Sequence, residues 1–174
     1  KTELANEDLE ALERGLPNLL RHISNIKNVY GLPAVVAVNR FPTDTDKEIQ
    51  LVIDKCKELG VNVALSEGWA KGGEGGVELA EEVVRLCEEE DNSNFSFSYD
   101  ADDTIENKIK DIVTKVYGGD GVEFTPAAKK QIINLKDMNC DKLPVCMAKT
   151  QYSFSDDPKL LGAPSGFKVT VRNI

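Results

Sequence analysis

Ala34-Val35-Val36-Ala37-Val38 is a continuous apolar run, bounded by Gly31-Leu32-Pro33 before it and by Asn39-Arg40-Phe41-Pro42 after it. A short apolar run between turn signals predicts a strand buried on both faces, the environment of a parallel sheet. Beyond it, Thr43 or Asp44 can cap a helix whose apolar face is Ile49, Val52, Ile53, Cys56 and Leu59, and Gly60 supplies a left-handed exit. Residues 61–65 form a second short apolar strand. A glycine-rich loop follows, then a helix carrying Val77, Ala80, Val83, Val84 and Cys87 on its apolar face. The order strand, helix, strand, helix predicts parallel strands joined by a right-handed crossover.

Working outward, a short helix is expected over 6–14, and Pro17 suits the first turn of a second helix in which Leu19, Leu20, Ile23, Ile26 and Tyr30 share a face. Downstream, Glu88-Glu89-Glu90-Asp91-Asn92-Ser93-Asn94 combines charge with turn formers and reads as a boundary. Residues 1–91 are thus expected to form a βαβα unit and residues 92–174 a smaller α+β part. In that second part Ile105, Ile109, Ile112, Val113 and Val116 line one helical stripe, which Gly118-Gly119-Asp120-Gly121 ends. Thr125-Pro126 opens another helix, with Ile132, Ile133, Leu135 and Met138 expected inward. Strands are expected at 143–148 and 167–171, so the fold class is α/β.

At 174 residues and 41% hydrophobic, the chain is long enough to bury a real core. Acidic residues outnumber basic ones 30 to 21, giving a formal charge of -9, and no cluster of Lys or Arg could neutralise a phosphate backbone. Nucleic acid is therefore excluded as an expected partner. No stretch approaches the length of apolar sequence that a spanning helix needs, and no signal segment opens the chain. The four cysteines, Cys56, Cys87, Cys140 and Cys146, have no metal-ligand spacing, and Cys56 and Cys87 fall on helix faces read as apolar. They read as reduced structural thiols in a cytoplasmic protein. His22 is the only histidine, so neither a metal cluster nor a histidine-based triad can be assembled. The chain opens on Lys1 and stops directly after an apolar strand, which reads as a piece of a longer polypeptide.

In an open parallel sheet, ligands bind beyond the carboxyl ends of the strands. The first strand ends in Asn39-Arg40-Phe41 and the second runs into Ser66-Glu67-Gly68-Trp69-Ala70-Lys71-Gly72-Gly73-Glu74-Gly75-Gly76. If the strands are adjacent, Phe41 and Trp69 leave from one edge and form a slot for a flat heterocycle, a pterin or a purine. The alternative is that each ring packs under its own loop. Gly72 and Gly73 precede a helix and offer N–H groups to an anion, although Glu74 opposes a phosphate there and a loop shaped for close backbone approach explains the glycines as well. Lys149 follows the strand at 143–148 and is placed to meet a carboxylate or phosphate, while Asp156-Asp157 can cap a turn.

Three segments resemble formate–tetrahydrofolate ligase: Val38-Asn39-Arg40-Phe41-Pro42-Thr43-Asp44-Thr45, the run from Ala64 through Gly76, and Leu143-Pro144-Val145-Cys146-Met147-Ala148-Lys149-Thr150-Gln151-Tyr152-Ser153. Asp156-Asp157-Pro158-Lys159-Leu160-Leu161-Gly162 and the last strand continue the similarity. The resemblance implies that the βαβα unit is part of a P-loop-NTPase-like sheet and that the family's phosphate-binding loop lies in an amino-terminal region not among these residues. It implies ATP with Mg2+, formate and tetrahydrofolate as reactants, a monovalent cation as activator, a homo-oligomer, and formyl phosphate as intermediate. It also implies that Phe41 and Trp69 sandwich the pterin, with Glu67 and Lys71 flanking Trp69 as supporting groups. Asn39 has a placement like that of the base-reading strand of P-loop proteins. A nucleotide-binding or interaction module of P-loop ancestry, with no folate role, is the rival reading.

Overall fold

The structure, a computed structural model, describes residues 6–149 and 153–174. Lys1 and Thr150-Gln151-Tyr152, named above, lie outside the described residues. The chain divides into two compact units, Lys1–Phe95 and Ser96–Ile174. It is a mixed fold of helices and short parallel strands.

In the first unit, helix α1 (Leu9–Ser24) begins under an Asp8 cap and continues through a π-helical turn, Asn25–Val29. This corrects the expectation of two helices. Pro17 removes only its own N–H from the ladder, and its ring points to solvent while Leu16, Leu19, Leu20 and Ile23 keep one apolar stripe running past it. Strand β1 (Val35–Asn39), helix α2 (Asp46–Glu58) and strand β2 (Asn62–Ser66) follow. The strands pair in parallel, from Val35 opposite Asn62 to Asn39 opposite Ser66. Ile23, Val36, Cys56 and Val61 form the core of this unit, supported by Leu19, Leu20, Val38, Val52 and Val63.

Helix α4 (Val77–Glu89) covers the opposite face, where the Asn62 amide donates to Glu82 at 2.8 Å. It sits mainly over β2, so Ala64 is buried while Ala37 of β1 is exposed. The first strand is therefore not buried on both faces. Nor does α4 turn the expected stripe inward: Leu79, Glu82 and Leu86 are the half-buried set, and Val77, Ala80, Val83, Val84 and Cys87 face outward. The stretch between β2 and α4 was expected to be loop. It is instead a helical turn, α3 (Gly68–Lys71), followed by a 3-10 turn, Gly72–Gly76.

In the second unit, helix α5 (Ile105–Asp111) runs into a π-helical turn (Ile112–Tyr117) that ends on Gly118 in the left-handed region, at φ 75°. Strand β3 (Gly121–Phe124), absent from the sequence reading, pairs in parallel with β4 (Lys168–Val171). Helix α6 (Pro126–Asp137) joins them, with Thr125 as cap and Pro126 in the first turn. Ile105, Ile109, Val113, Ala128, Ile132, Phe154, Phe167, Val169 and Val171 form the core. Ile133 and Met138 are exposed, contrary to expectation, because the stripe of α6 that meets the core is Ala128, Ile132 and Leu135. The segment 143–148 is extended but belongs to no sheet. Its place is fixed by side chains: buried Lys108 donates to the Lys142 and Leu143 carbonyls at 3.0 and 3.3 Å, and Val145 N–H donates to the Tyr99 hydroxyl at 3.0 Å. No helix among the described residues is long and apolar enough to cross a membrane.

Ile109→Ala should destabilise the protein by about 2–5 kcal/mol, whereas Ile133→Ala should stay within about 0.5 kcal/mol, as read from urea unfolding curves. Acid sensitivity is expected in the first unit. Hydrogen bonds from Arg85 and then Asn62 hold the Glu82 carboxyl down to about 2, from an ordinary 4.5. A folded-state value below the unfolded one stabilises fully above the ordinary carboxylate range and is lost as pH falls toward 2. Glu82→Gln should therefore flatten the acid limb of a melting-temperature profile taken downward from about pH 6.

Candidate functional site

The last residue pair of the β1–β2 ladder, Asn39 and Ser66, sets the two following loops side by side at the carboxyl edge. Arg40 N–H extends the contact by donating to the Ser66 carbonyl at 3.0 Å. Phe41 is the second residue after Asn39, and Trp69 the third after Ser66. They are 51% and 72% exposed, so neither ring is packed under its loop.

Phe41 is carried by a turn that its own neighbours close. Its N–H donates to the Asp44 carboxylate at 2.8 Å, and Asp44 N–H donates back to the Phe41 carbonyl at 3.0 Å. Thr45 then caps α2 in a reciprocal box: Glu48 N–H donates to the Thr45 hydroxyl and Thr45 N–H to the Glu48 carboxylate. Glu48 also accepts from Asp8 N–H at 3.1 Å, tying the start of α1 to the same corner. Those donors, Thr45 first, lower its carboxyl below the usual range. The Arg40 guanidinium reaches Asp46 in the first turn of α2 at 2.8 Å.

Trp69 is presented by a closed loop. Glu67 N–H donates to the Gly75 carbonyl at 2.9 Å, and Ala70 and Lys71 N–H both return to the Glu67 carbonyl. The backbone of Gly75 is pressed so closely on this point that a Cβ there would lie 2.4 Å from the Glu67 carbonyl carbon and 2.8 Å from Gly68 N. Across the turn, Lys71 Nζ meets Glu67 Oε2 at 2.6 Å. That hydrogen bond, with the charges of Lys71 and Arg40, keeps the Glu67 carboxyl low and ionised. Gly72 adopts φ 62°, and neither it nor Gly73 has a neighbour that a side chain would meet. Asn39 is exposed at the strand tip, and its side chain makes no hydrogen bond among the described residues.

Eight of the nine residues singled out from the sequence therefore sit on these two loops or between them at the strand tip, namely Asn39, Arg40, Phe41, Glu67, Trp69, Lys71, Gly72 and Gly73. Lys149 belongs to the second unit. There its ammonium lies over the Tyr117 ring, 4.9 Å from the centroid, and donates to the Ser153 carbonyl. Burial pulls its pKa down and the Asp156 charge partly restores it. Asp156 and Asp157 act as turn and edge acceptors, from Thr170 N–H at 3.2 Å and Lys159 N–H at 2.9 Å. Sequence reasoning offered Thr43 or Asp44 as the cap of α2; the cap is Thr45, and Asp44 closes the turn under Phe41 instead. It missed Glu48 and Gly75 as groups that hold the loops, and of these only the S/T-x-x-E spacing of Thr45 and Glu48 was a readable signal.

The arrangement offers two exposed aromatic faces at one sheet edge, on loops braced by ionised carboxylates. Among the described residues no group of three or more His, Cys, Asp or Glu could hold a metal ion. Residues 1–174 match the family model for formate–tetrahydrofolate ligase.

Gly75→Ala should force the loop open, since the contact it meets is backbone and cannot rotate away. The expected result is a red-shifted, more readily quenched Trp69 fluorescence, while the melting temperature moves much less than for Ile109→Ala. Gly73→Ala, with open space around it, should leave the emission unchanged.

Proposed function

The chain belongs to the formate–tetrahydrofolate ligase family, and from that premise we propose that its two edge loops form the slot in which tetrahydrofolate is held for formyl transfer. Members of the family join formate to tetrahydrofolate with ATP. In this reading the ATP, with Mg2+, converts formate to formyl phosphate, and the folate amine attacks the carbonyl carbon. The C–N bond forms, the C–O bond to phosphate breaks, and phosphate leaves with its electron pair while the amine loses a proton.

The observation that supports the assignment is the exposure of Phe41 and Trp69 on loops that leave one edge in register. Two opposed rings fix the tilt of a flat heterocycle and exclude water from its faces, which is what delivery of a nitrogen to a hydrolysable acyl phosphate requires. Glu67, Lys71 and Arg40 are proposed as the polar frame of the slot, Gly72 and Gly73 as the stretch that lets ligand approach the backbone, and Asn39 as an edge donor or acceptor. Lys149 is proposed to meet an anionic group of a substrate.

No G-x-x-x-x-G-K-[ST] motif occurs in the sequence, and Glu74 opposes phosphate at the glycine-rich turn before α4. We therefore assign the ATP phosphates to residues other than these, and expect the 174 residues alone to release no ADP in response to formate. The same proposal includes a P-loop-NTPase-like ancestry for the β1–β2 unit, a functional division into residues 1–91 and 92–174, a cytoplasmic site of action and a homo-oligomeric ligase.

Trp69→Ala should weaken tetrahydrofolate binding by about 1–3 kcal/mol, taking stacking of a base on an aromatic ring as the analogue. Stability should change by less than about 0.5 kcal/mol, because the ring is mostly exposed. Titration calorimetry and a melting curve on one Trp69→Ala protein test both halves. Unchanged folate affinity would overturn the slot, and binding of nucleotide but not folate by the unaltered chain would favour the rival module.

A further inference from the structure

Helix α4 spends its apolar residues on two opposite faces. Leu79 and Leu86 point to the sheet, with Glu82 between them held by Asn62. On the far side, Val77, Ala80, Val84 and Cys87 recur at intervals of three, four and three, the a and d positions of a heptad. Val77 is 50% and Val84 52% exposed; Ala80 and Cys87 are exposed as well, and Val83 borders the row. A surface helix with one buried stripe is complete. This one carries a second stripe that nothing among the described residues covers.

The charges beside the row are of one sign. Glu81 and Glu88 flank it at the heptad's e positions, and Glu78 stands one place further round the helix. None of the three makes an ion pair among the described residues. The only cation on α4, Arg85, is turned away to Glu82, Glu89 and Glu90 at 2.8, 3.5 and 3.2 Å. Within α4 the main chain is already hydrogen-bonded, so an occupant gains from side-chain packing rather than from strand pairing.

We propose that the outward face of α4 is a docking seam for an amphipathic helix that carries apolar a and d residues flanked by Lys or Arg. A packed helix supplies the knobs that Val77, Ala80, Val84 and Cys87 lack, and basic flanks compensate Glu81 and Glu88. A second copy of the same face would set Glu81 and Glu88 against their equals when antiparallel and against Gly76 and Val83 when parallel, supplying no countercharge either way, in a chain of formal charge -9. The seam spans about 15 Å of helix, enough for about one and a half heptads of partner.

The test uses the whole chain carrying Cys140→Ser and Cys146→Ser. Cys87 is then the accessible thiol, since Cys56 is fully buried. The probe is a capped three-heptad peptide with Leu at a and d and Lys at e and g; its twin has Glu in place of Lys. The Lys peptide should slow alkylation of Cys87 by iodoacetamide at least ten-fold at saturation. Glu81→Gln with Glu88→Gln should weaken its binding about three- to five-fold, following the strength of exposed helix charge pairs. Ala80→Glu, at an exposed site, should abolish protection with an unchanged melting temperature. Equal protection by the Glu peptide, or none by the Lys peptide, would overturn the proposal. So would protection that rises with protein concentration in the absence of peptide, the mark of a second copy. The double Gln variant keeps the test decisive should Ala80→Glu perturb folding.

Discussion

The register that sets Asn39 beside Ser66 is the constraint on which the candidate site depends. Strand side chains alternate with a period of two, so a slip of one residue in β1 would turn Val36 and Val38 away from α1 and α2, and a slip in β2 would turn Val63 away. The same slip would move the loop after β1 relative to the loop after β2. Burial of the core and alignment of Phe41 with Trp69 are thus fixed by one choice. That is why an exposed pair of aromatic rings can be positioned by a sheet to which the described residues contribute two strands.

Register alone would leave the loops free to wander, and the local hydrogen bonds remove that freedom. Asp44 closes the turn under Phe41, and Glu48 collects donors from Thr45 and Asp8 at the head of two helices. Gly75 and Glu67 close the loop that carries Trp69. Each device acts on backbone and spends no apolar surface, so the rings themselves stay available. The exposed glycines Gly72 and Gly73 leave the outer rim of that loop free of side chains.

Much of this was legible before the structure, and the failures share a cause. The strands at 34–38 and after Gly60, the cap at Thr125 and the stripe of α5 were read correctly, whereas α2 is capped by Thr45 rather than by Thr43 or Asp44, and the 34–38 strand is buried on one face only. Helix α4 was turned the wrong way. Its sequence contains two apolar stripes, Leu79 with Leu86 and the Val77 row, and periodicity says that a stripe exists without saying which one meets the sheet. Pro17 was taken as a boundary although the leucine stripe continues past it. The four residues of β3 are too few for alternation to declare itself. The two edge aromatics were found from their distance past the strands, but the groups that hold their loops were not. A contact such as Gly75 against Glu67 is created by the fold and has no local pattern to read.

The segment 143–148 shows how far pattern and pairing can part. Val145 and Met147 pack against the core of the second unit while Cys146 and Ala148 stay exposed, the period-two burial of a strand. Yet it joins no ladder, and the work of a neighbouring strand falls to two side chains. The Tyr99 hydroxyl meets the main chain of Val145, and the ammonium of Lys108 holds two successive carbonyls before it. A fully buried ammonium is costly unless its hydrogens are used, and here two carbonyls and the face of the Tyr99 ring, 5.9 Å away, receive it. The sequence reading made this segment a strand; the burial of one is present and the ladder is not. Alternation follows from which side chains a core accepts, whereas a strand also needs a neighbour whose backbone lies within reach. At 143–148 the first condition is met by the second unit's core, and the second is replaced by Lys108 and Tyr99.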